Sequence, residues 1–248
     1  MKNILALAAI LSLSACGYSV FDAAEDIKQA SKSGMEDGEK ITAQSSTLDA
    51  FTKLASIGPD NITFEASDSF TIQASGDADV IAKLRYKLED GRLVIGRVGE
   101  GWSDYKGVVA TIHISAPTLS KISNAGSGNI IADALENDEI SIAVAGAGNV
   151  IIKQLKANEI KGSIAGSGNI NVAGTVQQAK YAVAGSGNID AKALKAATAK
   201  ASIAGSGDVD LFAHETAKAS IAGSGDVSVT GGAKCTSSIV GSGELNCS

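Results

Sequence analysis

Few side chains in this 248-residue chain could do chemistry: two histidines, three cysteines and a late series of carboxylates. His113 alternates with Ile112 and Ile114, which puts it on the polar side of a strand. His214 follows Asp210 by four residues, a spacing that joins side chains on a helix and not in the strand-and-corner pattern around it. No serine-histidine-acid or cysteine-histidine set can be assembled, and no group has zinc-ligand spacing. Glycan cleavage would need paired acids, or a base beside arginine and a divalent cation, on one face. From Lys121 to Ser248 there is no arginine and a single tyrosine, Tyr181. The expectation is a chain with no catalytic residues and no cofactor.

The carboxylates carry a sharper question. Asp208, Asp226 and Glu244 each directly follow a Gly-Ser-Gly triplet, 18 residues apart. If those triplets stack, three like charges stand in a line, and a pair ~5 Å apart repels by about 1 kcal/mol even in water. A weak cation site shared by the three would relieve this; so would plain solvent exposure.

The cysteines divide into one and two. MKNILALAAILSLSAC, residues 1–16, has a lone Lys2, an apolar run from Ile4 and small residues at its end, the pattern of an export signal. The run is too short to span a bilayer, which takes roughly 20 helical residues. Leu13-Ser14-Ala15-Cys16 resembles the lipobox of bacterial lipoproteins. That resemblance implies a signal peptide over 1–15, removed to leave Cys16 as a lipidated N-terminus whose acyl chains, palmitate among them, hold the protein to a membrane. Gly17 follows, not the aspartate that resembles an inner-membrane retention signal, so the expected address is the outer membrane, on either face. Cys235 and Cys247 remain, an even count in an oxidising compartment. They are expected to form a disulfide worth about 3 kcal/mol.

The elements that must position these groups come from a repeat. A Gly-x-Gly core recurs seven times, beginning at Gly126, Gly146, Gly166, Gly185, Gly205, Gly223 and Gly241. β-Branched residues precede most cores by two positions, as at Val144, Ile164 and Val183, and apolar residues follow at the same parity, as at Ile130, Val150 and Ile170. Period-2 alternation means strands with one buried side. Further apolar points at Leu135, Leu155 and Leu194, then Ile140, Ile160 and Ala199, give each unit about three inward stretches. One unit cannot bury its own apolar side, but a stack can. Glycine pairs and β-branched neighbours oppose a helical repeat. The cores lack both the third glycine of a dinucleotide fingerprint and the lysine of a phosphate loop. The expected fold is all-β: a single-stranded β-helix of about seven 18–20-residue rungs, right-handed by the general crossover preference.

Residues 46–120 differ, with short alternating runs at Ile62, Phe70, Arg92 and Val108 separated by turn signals such as Gly58-Pro59-Asp60. They hold most of the aromatics, including Trp102, and are expected to cap one end of the solenoid as an irregular β-segment. Residues 16–45 lack sustained alternation and are expected to tether the folded part to the lipid. The domain organisation is thus 1–15, 16–45, 46–120 and 121–248, the last two forming one continuous body. Net charge is −6, and residues 121–248 are close to neutral, with ten lysines against eleven acids. No basic face is evident from such a mixture, so nucleic acid is not an expected partner.

Across residues 47–230, the chain resembles the "putative auto-transporter adhesin head GIN-domain" family of bacterial envelope lipoproteins. The resemblance is carried by Phe51 and Leu54, Ile72-Gln73-Ala74-Ser75-Gly76-Asp77, Leu88 through Ile95, Ile112 through Pro117, and Ser123 through Ile130. It implies an all-β, β-helical fold and a surface role. The expected function is a non-enzymatic, lipid-anchored envelope protein that presents its surface to an envelope glycan or protein. The alternative is a carbohydrate-binding protein or remote glycan-active enzyme using one solenoid face.

Overall fold

The structure, a computed structural model, describes residues 35–99 and 107–248. The signal peptide, Cys16 and Trp102 lie outside the described residues. Strand is by far the main secondary structure of the described chain, which forms one β-solenoid, as the alternation and glycine spacing predict.

Each repeated rung has three sides. In the first, β10 (Ile130–Glu136) supplies two of them, with Ile130 and Ala132 inward on one and Leu135 inward on the next. A turn at 137–138 leads to β11 (Glu139–Gly146), the third side, where Ile140, Ile142 and Val144 point inward. The chain then reaches the next glycine core and starts β12 (Asn149–Lys156), which lies parallel to β10 with Ile130 opposite Val150 and Leu135 opposite Leu155. β13 (Glu159–Gly166) stacks likewise on β11, from Glu139 opposite Glu159 to Gly146 opposite Gly166. In β14 (Asn169–Gly185), β15 (Ile189–Gly205) and β16 (Val209–Gly223) the three sides run on as single long strands. β17 (Val227–Thr230), β18 (Lys234–Gly241) and β19 (Leu245–Cys247) finish the stack. Seven cores bound six turns, and Ile, Val, Leu and Ala fill one continuous apolar column inside them.

The cores require glycine for two reasons, clearest at Gly166 and Gly168. Gly166 has φ of +139°, a region that L side chains rarely adopt. A Cβ on Gly168 would collide with the carbonyl oxygen of Gly148 one rung below. That close approach lets Ser167 and Gly168 both donate backbone N–H groups to the Gly146 carbonyl, each at 2.9 Å. Shortened rungs lose their residues at the corner between the first two sides. Gly174, with φ of +133°, absorbs the residue missing relative to the rung below, where the register shifts between Ile152 and Leu155.

The N-terminal region is more regular than a cap. β3 (Lys53–Ser56) and β4 (Asn61–Ala66) form a further rung: β3 lies parallel to β9 (Lys121–Asn124), and β4 parallel to β10. Gly58 stands where the repeat has its first glycine and accepts the backbone N–H groups of Ser127 and Gly128. β7 (Arg92–Arg97) and β8 (Thr111–Ala116) lie beneath it as another rung, parallel to β3 and β4. The Gly58-Pro59-Asp60 turn is therefore a solenoid corner whose sequence has diverged. Asp60 is buried there, takes the Arg97 guanidinium through both carboxylate oxygens, and accepts the Ala110 N–H at 2.7 Å.

True capping falls to the antiparallel strands. β5 (Thr71–Ser75) runs against β8 and β6 (Leu84–Glu89) against β7, with β1 (Glu39–Lys40) and β2 (Ser46–Thr47) outside them. The one-turn α1 (Ala78–Ile81), capped by Asp77, seats Val80 in the core. Met35 and Ile41 are buried, so the folded body already includes residues 35–45, which sequence assigned to the tether. Isolated apolar residues without period gave no sign that this stretch packs.

Candidate binding face

The predicted chemistry-bearing residues do not converge. His113 is exposed between β4 and β5, its Nδ1 2.7 Å from the Thr63 hydroxyl and its Nε2 3.0 Å from that of Ser75. A hydroxyl, not a carboxylate, orients the ring, so the contact lacks the acid of a catalytic triad. His214 is exposed at a corner, and its neighbour Asp210 forms a 3.0 Å ion pair with Lys192.

The residue after each glycine core forms a ladder, and its chemistry is now explicit. Asn149 donates its amide to Asn129 at 2.7 Å, and Asn169 to Asn149 at 2.8 Å. The ladder begins one rung earlier than the repeat, at Asn61, which accepts from Asn129. Further up, the rungs connect through the backbone: Asp208 N–H donates to Asn188, Asp226 N–H to Asp208 and Glu244 N–H to Asp226, all at 2.8 Å. Only an acceptor is needed there, so aspartate replaces asparagine without loss of that bond. Asp208 and Asp226 thus each commit an oxygen to the next rung. Among the described residues no group of three His, Cys, Asp or Glu is arranged to hold a metal ion. Of the two ways to relieve the repulsion of Asp208, Asp226 and Glu244, a shared cation site is not assembled, while all three are exposed to solvent.

Cys235 and Cys247 do form a disulfide, with Cα atoms 6.5 Å apart. It joins β18 to β19 and closes the last rung, whose strands pair on one side only. Ile239 and Val240 are exposed at this open end.

Stacking creates a feature that composition hid. On the third side, register places Arg92, Lys53 and Lys121 in one outward column, then Ser141, Lys161, Lys180, Lys200, Lys218 and Thr236. Lysines scattered among acids in sequence are sorted into a stripe along the solenoid, a basic face after all. Its middle is neutralised. Lys161 pairs with Glu139 at 2.6 Å and with Glu159 at 3.4 Å, and Lys180 pairs with Glu159 at 2.7 Å. Burial opposes ionisation of Glu159, but Lys180 and Lys161 together outweigh it and hold its carboxyl below the ordinary range. Hydrogen bonding to Glu139 leads the effects that raise Lys161, against the opposing pull of burial.

Toward the open end the same side changes character. Segments 178–185, 198–205, 216–223 and 234–241 contain Lys180, Lys200, Lys218 and Lys234 and no acid. The second and third read identically, TAKASIAG. Lys200, Lys218 and Lys234 are exposed. Thr198 and Thr216 flank the column on one side, and Ser202, Ser220 and Ser238 on the other. Tyr181 is no part of this surface, since its ring points inward and is buried. A separate open depression of about 420 Å³, lined by Glu136, Asp138, Asn158 and Gln177 among others, lies at the turn before the third side.

The architecture and the site define a β-solenoid that presents ladders of like residues and no assembled catalytic group among those described. The family model for "Putative auto-transporter adhesin, head GIN domain" matches residues 50–233, and the chain belongs to that family. Among solved structures, a putative adhesin of Bacteroides fragilis is similar at 26% identity and a TM-score of 0.77, covering 84% of this chain and all of its own. A putative lipid binding protein of Parabacteroides distasonis matches at 24% identity and a TM-score of 0.65, covering 85% of this chain and all of its own. A putative adhesin of Parabacteroides merdae matches at 20% identity and a TM-score of 0.65, covering 85% of this chain and 99% of its own. No curated protein matches.

Proposed function

We propose that this is a non-enzymatic, adhesin-like protein of the bacterial envelope, held to the outer membrane by lipid on Cys16 and displaying the solenoid as a rigid contact surface. The observation that carries this reading is the ladder organisation. On the third side the outward side chains stack in register from rung to rung, an arrangement suited to an extended partner and unlike the concave, convergent pockets that hold small substrates. The putative adhesin of Bacteroides fragilis, similar over its whole length, points the same way. The lipobox at Leu13-Ser14-Ala15-Cys16 supports the acyl chains as the anchor.

The test is metabolic labelling with a clickable palmitate analogue, followed by membrane fractionation and protease shaving of intact cells. Wild type should incorporate label and sediment with the outer membrane, and Cys16→Ser should do neither. An unlabelled wild type, or a Cys16→Ser chain still in the membrane, would refute the anchor. Loss of cell or matrix adhesion on deleting the gene, restored by wild type and not by Cys16→Ser, would support display.

A further inference from the structure

The outward side chains of the acid-free stretch of the third side take no part in the core. Its core contacts come from the opposite parity, and Lys200, Lys218 and Lys234 make no ion pair among the described residues, whereas the lower lysines are matched to glutamates. Rungs are ~4.8 Å apart. Lys200 and Lys218, on neighbouring rungs, therefore repel, and the carboxylates that relieve this lower down stop at Glu159. Four rungs of eight residues give a flat area about 15 Å by 26 Å that carries the unpaired Lys200, Lys218 and Lys234, with Lys180 paired to Glu159 at its lower edge and hydroxyl rows on either side.

We propose that this face binds a linear acidic polysaccharide, carboxylated or sulfated, lying along the solenoid axis. Lys200 and Lys218 would meet successive acidic groups, for the rung spacing is close to the length of one pyranose in an extended chain, and Lys234 adds a third unpaired cation one rung further on, in the neighbouring row. The threonine and serine rows on either side would exchange hydrogen bonds with sugar hydroxyls. Neutral glycans are usually gripped by exposed aromatic rings, and the one aromatic ring of this side, on Tyr181, is turned into the core. The same lack of stacking surface and of arginine disfavours nucleic acid. The hydroxyl rows favour a sugar polymer over a lipid surface, which would bring phosphates but few hydroxyls. The inference deepens the display reading by naming the class of partner, and rests on it only for the biological setting.

Binding of the full chain to polygalacturonate, dextran sulfate and neutral dextran should be measured by biolayer interferometry across a salt series. The acidic polymers should bind, more weakly as salt rises, and neutral dextran should not. Lys200→Glu with Lys218→Glu should weaken binding about tenfold or more, while Lys153→Glu with Lys156→Glu, an equal charge change on another side, should leave it intact. Lys200→Gln with Lys218→Gln gives the same reading in case the reversal disturbs folding, with circular dichroism to verify the rungs. Equal binding of neutral dextran, equal loss in the two charge-reversed proteins, or no binding to either acidic polymer would overturn the proposal. So would tighter binding to phosphatidylglycerol vesicles or to single-stranded DNA than to the acidic polymers. Cys16→Ser should not change these affinities, so failure of the anchor and failure of this face are read separately.

Discussion

Tyr181 offers a direct test of how the core is built. Its column inside the third side runs Ile142, Gly162, Tyr181, Ala201, Ala219, so one large ring sits among small neighbours. Gly162 makes the room: a Cβ there would come 2.9 Å from the ring's Cδ1. The ring is thus accommodated, but its hydroxyl is buried with no hydrogen-bond partner among the described residues. Burial alone drives the phenol pKa far upward. A buried hydroxyl left unpaired costs about 1–3 kcal/mol, and phenylalanine removes it while keeping the ring. Tyr181→Phe should therefore stabilise the protein by about 1–3 kcal/mol, raising Tm by about 2–4 °C per kcal/mol for a body of this size. Urea unfolding followed by circular dichroism, beside calorimetry, measures both. An unchanged or lowered Tm would refute the reasoning, because it would mean that the hydroxyl is satisfied in solution.

Gly168→Ala should cost about 3 kcal/mol or more, since the new methyl meets backbone that cannot move aside; a change under about 1 kcal/mol in urea unfolding would show that the cores are looser than described. Reducing Cys235–Cys247 should free the open end and cost about 3 kcal/mol. Hydrogen exchange should then speed up in 227–248 while 130–185 stays protected, and uniform acceleration would contradict this local role. Glu159 has a lowered pKa, so its stabilising contribution is present above its ordinary value and is lost as pH falls below 4.5 through the folded one. Glu159→Gln should flatten the stability profile in that acid window, and an unaltered profile would show that the Lys161–Glu159–Lys180 chain contributes nothing. Tyr86, pushed up to about 12 by burial and by donating to Glu39, is the alkaline counterpart. Its contribution holds below pH 10 and fades toward 12, so Tyr86→Phe should lose this alkaline dependence in a Tm series.

The repeat was legible because glycine, parity and spacing all report one constraint, the stacking of one rung on another. Gly168 and Ile170 are required by geometry, so their pattern recurs at each of the seven cores from Gly126 onward. The N-terminal rungs were illegible for the converse reason. Gly58 keeps the first core glycine and its close backbone approach to the rung above, but Pro59-Asp60 replaces the rest, and the buried Asp60–Arg97 pair is an addition that no repeat position announces. Two rungs also lie out of chain order, with β7 and β8 beneath β3 and β4, and no local signal encodes that. The acidic ladder could be read as a column but not as a set of acceptors, because the partner of Asp226 is the N–H of Glu244, which sequence does not display.

The lysine face is invisible to charge summed along the chain. Ten lysines and eleven acids over 121–248 nearly cancel in that sum, yet an in-register solenoid is a sorting device. Residues about 18–20 apart become neighbours, while residues one apart are sent to opposite sides of a strand. Lys200 and Lys218 thus fall on one outward row, and acids such as Asp208 and Asp226 fall on the corner ladder. Each added rung lengthens both rows by one step without altering the core. Glu139 and Glu159 show that the fold can neutralise this lysine row from the adjacent one, and Gln178, Thr198 and Thr216 show the neighbouring row losing its charge toward the open end. A structural role alone would favour continued pairing. The withdrawal of acid from one row, while lysine persists in the next, is the pattern that a surface for an anionic partner requires.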